Sequence, residues 1–130
     1  MHKLEQTKYG YRLVLEGFVE RAEVGQLLET MKTKIRPAKD QTFPLLLDMR
    51  NSRAFPADAR ELLKEAILFC KEAGMERNAV VLNSAIATLQ ARRIAKETGI
   101  DRYARYIDAT HPDWEKIALE WLVNGVEPEN

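Results

Sequence analysis

Short apolar runs alternate along this chain with stretches whose apolar residues recur at helical spacing. Leu45-Leu46-Leu47 precedes a helical pattern from Pro56, and Ala79-Val80-Val81-Leu82 precedes another from Ser84. A third unit pairs residues 103–107 with a helix that starts near Pro112. Repeated strand-then-helix units predict an α/β sandwich on a mixed, mostly parallel sheet of about five strands with about four helices.

The N-terminal segment reads as a hairpin. Residues 4–7 and 11–15 flank Lys8-Tyr9-Gly10, where Gly10 is expected to supply an unusual backbone angle. Tyr11, Leu13 and Leu15 alternate with Arg12, Val14 and Glu16, giving one apolar face and one mixed face, which suits an outer strand. Val24, Leu27, Leu28, Met31 and Ile35 form a single stripe and predict a helix over 20–35. Arg36-Pro37 stops it, because the residue before proline is pushed out of the helical region, and Lys39-Asp40-Gln41 reads as a polar loop.

Residues 43–49 are the most strand-like run, apolar on both faces and therefore central, with Pro44 placed at the first residue. Ala59, Leu62, Leu63, Ala66, Ile67, Cys70 and Ala73 mark the second helix, closed by Gly74. Ser84 and Gly99 cap the third, whose buried side is Ala87, Ala91 and Ala95 around Ile94. In the last helix Thr110 and Asp113 predict a capping box, Trp114, Ile117, Ala118, Trp121 and Leu122 form the stripe, and Gly125 ends it.

Length and charge narrow the function. The 130 residues read as one domain over 1–130, and 20 basic residues balance 20 acidic ones. A neutral domain lacks the electrostatic footprint of a nucleic-acid binder. The charge is uneven: from Asp108 onward six acids, Asp108 included, stand against Lys116, while bases gather around Lys32 to Lys39 and at Arg92, Arg93, Lys96, Arg102 and Arg105. The single Cys70 excludes an internal disulfide and sits on an apolar stripe, as an inert thiol does. The first residues carry no apolar leader, and no run reaches the roughly 20 residues of a membrane span, so a cytoplasmic protein is expected. His2 falls in a terminus expected to fray, and His111 in a turn. Metal-ligand spacing, Gly-rich phosphate loops and nucleophile elbows are missing, so no metal, cofactor or catalytic residue is predicted.

One stretch concentrates polar chemistry: Asp48-Met49-Arg50-Asn51-Ser52-Arg53-Ala54-Phe55, read as the loop leaving the central strand. Ligands bind open α/β sheets at the carboxyl ends of strands. Asp48 with Arg50 or Arg53 could order the loop, and the arginines suit an anionic group, held in bidentate fashion. The competing reading is a solvated connection in which Asp48 caps nearby amides. Asn83-Ser84 ends the neighbouring strand, and helix capping accounts for it.

The order of elements, with a hairpin, a helix after Gly17, a strand ending in Asp48, a helix within 50–71 and an Ala118-x-x-Trp121-Leu122 ending, resembles the SpoIIAA-like branch of the STAS family. Those domains are similar to bacterial anti-sigma-factor antagonists, and the likeness runs from about Tyr11 to Gly125. It implies a non-enzymatic domain in signalling or regulation. A protein partner, or a small anionic or lipophilic ligand, would dock where the second helix begins, near Asp48, Arg50, Ser52, Arg53 and Asp58. Antagonists carry a phosphorylatable serine in an Asp-Ser-Ser-Gly stretch. Here the match is Pro56-Ala57-Asp58-Ala59, so Ala57 or Asp58 stands at the serine position and the switch is expected to be absent. Ser52 is the nearest hydroxyl and inherits no role. The branch also resembles lipid carriers of the CRAL-TRIO type, which would need an apolar cavity of roughly several hundred Å³. An enzyme is the third reading, and an exposed Trp114 or Trp121 face would instead point to a homodimer or partner surface.

Overall fold

The structure, a computed structural model, describes residues 1–35 and 41–128. The helix stop expected at Arg36-Pro37 and the loop residues Lys39-Asp40 lie outside them. In chain order the elements are β1 (His2–Gln6), β2 (Tyr11–Gly17), α1 (Arg21–Lys34), β3 (Phe43–Ser52), α2 (Ala57–Ala73), β4 (Met75–Leu82), α3 (Ala85–Thr98), a 3₁₀ turn (Ile100–Arg102), β5 (Ala104–Asp108) and α4 (Trp114–Asn124). This is the mixed, mostly parallel five-stranded α/β arrangement that the alternating pattern predicts.

The sheet runs β1-β2-β3-β4-β5, with β1 antiparallel to β2 and every other pair parallel. Right-handed crossovers that always step in one direction put α1, α2 and α3 on one face. Their apolar stripes meet Leu13, Leu15, Leu45, Leu47, Val80 and Leu82 there. Among the described residues α4 is the one helix on the other face, where Ala118, Trp121 and Leu122 pack on Leu46, Ala79, Val81 and Ile107. Because α4 lies over β3, β4 and β5, the outer side of β1 and β2 stays open.

That asymmetry corrects the placement of β2. It is internal, hydrogen-bonded to β1 and β3, and its mixed face meets α4 at the edge, where Arg12 approaches Glu115. Pro44 is the second residue of β3, at the register shift against β4, where a missing N–H is tolerated. Gly10 does not adopt a positive φ; it is needed for close approach, since a Cβ there would lie 2.3 Å from the Pro44 carbonyl oxygen. Gly74 does turn left-handed, at φ 115°, and closes α2 as expected. His2 is not frayed: it pairs with Leu15 in the sheet and its Nδ1 lies 2.9 Å from Glu23. The capping box at α4 is absent, because Asp108 takes both the Thr110 hydroxyl and amide.

Candidate functional site

Strand parity builds the polar cluster. Leu45, Leu47 and Met49 of β3 enter the three-helix core and Leu46 faces α4, so Asp48 and Arg50 turn to the α4 side. β3 continues to Ser52, three residues past the end expected at Met49, which places Arg50, Asn51 and Ser52 inside the strand and not in the loop expected from sequence.

Asp48 is 3% exposed. It accepts hydrogen bonds from Arg50 Nε at 3.0 Å, Arg50 Nη2 at 2.9 Å, Arg12 Nη2 at 2.8 Å and the Arg50 amide at 3.2 Å. Arg12 also lies 3.7 Å from Glu115 at the start of α4, and the Arg50 guanidinium stacks 4.2 Å from the Trp114 ring centre. Asn83 Nδ2 donates to the Arg50 carbonyl, tying β3 to the end of β4. Burial opposes ionisation of Asp48, but the hydrogen bonds from Arg50 and Arg12 outweigh it and hold the carboxyl below its ordinary range. Both carboxylate oxygens are thus occupied by cationic donors, which suits a cross-strand tie and leaves no lone pair poised to take a proton.

A pH dependence follows from this. A carboxyl whose folded pKa is depressed contributes stability above its unfolded pKa, near 3.9, and that contribution is lost as pH falls through the folded value. Asp48→Asn should therefore cost about 2–3 kcal/mol at pH 7, less than a fully buried pair because both arginines keep a path to water. The gap between wild type and variant in urea titrations should narrow as pH falls below about 4. A gap unchanged by acid would mean that the charge of Asp48 plays no part.

The remaining candidates lie elsewhere. Arg53 is exposed, and its amide donates to the Gly17 carbonyl at 3.0 Å. Asp58 is exposed in the first turn of α2, with its own carbonyl held by Arg21 at 3.1 Å. Ser52 is buried, its hydroxyl donating to the Arg53 carbonyl at 3.1 Å. The structure therefore joins Asp48 to Arg50 and sets Arg53 and Asp58 apart, near the start of α1.

Three features escaped the sequence. Arg12 completes the Asp48 cluster because β2 lies beside β3, with Val14 opposite Asp48. Phe18 is 53% exposed between β2 and α1. Ile86 and Leu89 on α3 are 64% and 68% exposed, beside a groove of about 280 Å³ that α2 and α3 form with Arg60, Lys64, Arg93 and Glu97. The signal was present, since the Ala87-Ala91-Ala95 stripe leaves both residues off the buried side.

Other groups are spent on structure. Cys70 is buried with its Sγ 3.9 Å from Met31 Sδ, and burial pushes its pKa up to about 12. His111 Nδ1 accepts the Asp113 amide in the turn before α4. Among the described residues no cluster of acidic, histidine and cysteine side chains could hold a metal, and no helix is long and apolar enough to cross a membrane. The space between the sheet and α2–α3 is about 30 Å³, far below what an acyl chain occupies. The strand order never reverses, so the sheet has no switch-point crevice of the kind that makes the β3–α2 connection a ligand site in other open sheets.

No protein-family model matches this chain, and no curated protein matches it. Among solved structures it is similar to the crystal structure of an uncharacterized protein from the DUF3478 family with a SpoIIAA-like fold, from Shewanella loihica PV-4. The two are 13% identical, the alignment covers 94% of this chain and 92% of that one, and the TM-score is 0.64. At that identity the likeness speaks to architecture alone, and the architecture of this chain is the SpoIIAA-like, STAS-type fold.

Proposed function

We propose that this chain is a non-catalytic docking domain whose protein partner sits at the carboxyl end of the sheet, over the α2–α3 groove. The observation that carries this reading is the exposure of Ile86 and Leu89. Two large apolar side chains stand on one helix face, and they are more exposed than Met1, Phe18, Val123 and Val126, the other large apolar residues left at the surface among the described residues. Arg60 and Arg93 flank them, whereas Lys64 is paired with Glu61 and Glu97. The partner surface that fits is apolar with acidic residues at its rim.

Arg53 and Asp58 extend the surface along the start of α2. Asp48, Arg50 and Arg12 act behind it, fixing β3 and, through Asn83, the end of β4 from which α3 departs. Support for a non-catalytic role is the state of Asp48, the buried carboxylate that would seed an active site and that is saturated by arginine.

The test begins with the complex isolated from the native host. Leu89→Glu should weaken partner binding at least about tenfold, or roughly 1.4 kcal/mol, while thermal unfolding stays within about 0.5 kcal/mol of wild type because the site is exposed. Val123→Glu, at another exposed apolar position, on α4, should leave binding unchanged. Loss of binding through Val123→Glu with Leu89→Glu intact would move the docking site to the α4 face.

A further inference from the structure

We propose that the space between β4, α2 and α3 is a binding site for a small aromatic molecule that carries one hydrogen-bond donor, such as a phenol, with Phe55 as its gate. The starting point is Asn78. It is 1% exposed, lies on β4 against this space, and its Oδ1 has no hydrogen-bond partner. Buried polar atoms are rarely left so, and each exception asks for an explanation.

Water is a poor one. The walls are apolar, from Leu47, Leu63, Val80 and Ile94 among others; the other polar side chains that line the space, Gln90 and Tyr106, are already engaged, and the Tyr103 hydroxyl, also buried without a partner, does not line it. Gln90 uses both ends of its amide on the Phe55 backbone, accepting from the amide at 3.3 Å and donating to the carbonyl at 3.5 Å. The Tyr106 hydroxyl donates to the Ala91 carbonyl at 3.5 Å. A water at Asn78 Oδ1 would find one partner where buried waters make two to four. An apolar guest with a single donor meets the main demand: it satisfies the amide oxygen and leaves no donor of its own unpaired.

The slot for its ring already exists and is occupied by Phe55. This residue sits in the short connection between β3 and α2, buried against the same space, while its neighbours Arg53 and Ala54 are exposed. Its backbone is held by the two long contacts to Gln90 and by Arg60 Nη1 at 2.7 Å. About 30 Å³ is free with Phe55 in place, so a ring enters only as the Phe55 ring leaves. The site does not depend on the docking surface proposed above.

The probes are p-cresol and toluene, which share ring and methyl and differ by one hydroxyl. In ligand-detected NMR titrations, Phe55→Ala should bind p-cresol at least about tenfold tighter than wild type does, and at least about tenfold tighter than it binds toluene. Adding Asn78→Leu should erase that preference and leave toluene affinity within about threefold. Equal affinity of Phe55→Ala for the two probes overturns the proposal, as does p-cresol binding that survives Asn78→Leu. Should Phe55→Ala fail to fold, Gln90→Ala loosens the gate without emptying the slot. That variant must then show p-cresol-dependent shifts of the Asn78 side-chain amide that toluene does not produce, and their absence overturns the proposal equally. A crystal soaked in p-cresol that shows only a water on Asn78 Oδ1 does so as well.

Discussion

Trp121→Ala should destabilise the protein by about 3–5 kcal/mol, the largest effect expected of any single substitution here. The indole is almost fully buried under α4, and its Nε1–H is shared between the carbonyls of Asn78 and Tyr103, each at 3.2 Å. One side chain thus closes the α4 face of the sheet and bridges β4 to the segment that opens β5. The Arg105 guanidinium stacks 4.2 Å from its ring, with Arg77 at 5.7 Å. Arg105 is in turn gripped by Glu127 at 2.7 and 2.8 Å, so the chain beyond α4 is drawn onto the same residue. Trp121→Phe separates the contributions: it keeps most of the buried ring, loses the donor, and should cost about 1–2 kcal/mol. Urea titration of the pair checks both figures. Equal losses for the two variants would mean that the indole hydrogen bonds dominate and the apolar contact counts for little.

Leu46→Ala should cost about 2–5 kcal/mol by leaving a cavity where the middle strand meets α4. Leu46 is essentially unexposed, packed with Ala79, Val81, Ile107, Ala118 and Leu122. Those neighbours are backbone-anchored on two strands and one helix, so collapse into the vacated space is limited. A measured loss below about 1 kcal/mol in urea would place residue 46 at a yielding edge and contradict the central position of β3.

Both predictions rest on what the chain shows before any coordinates. Leu45, Leu46 and Leu47 are apolar on successive positions, which only a strand covered on both faces requires, and Trp121 falls on a stripe with Ala118 and Leu122. Local signals of this kind were readable because one residue type at one spacing has one physical cause. The polar start of β4 was not: Glu76, Arg77 and Asn78 resemble a loop until β5 and α4 are in place. Only then does the Asn78 amide find the Tyr103 carbonyl at 3.0 Å, and Arg77 the Leu122 carbonyl at 3.2 Å.

The candidate site was readable in the same uneven way. Asp48 and Arg50 are two apart on a strand and must share a face, so their contact follows from parity. Arg12 could be joined to them only once β2 was known to lie beside β3, and register is not written in either strand alone. Taking the polar residues after Met49 for a loop concealed that β3 runs to Ser52. Arg53 and Asp58 are then carried away from Asp48 to the surface where α2 begins. The exposed Ile86 and Leu89 were visible as apolar residues off a buried stripe, yet exposure becomes evident only when nothing is found to cover them.

The docking reading is tested most directly by hydrogen–deuterium exchange on the complex purified from the native host, compared with the free protein. Exposed backbone at an interface loses access to solvent when a partner binds, so protection maps the contact. The account predicts slowed exchange at residues 52–64 and 84–93, with residues 111–126 and the open outer side of β1 and β2 unchanged. Protection confined to 111–126, with the α2–α3 segments exchanging as in the free protein, would contradict it.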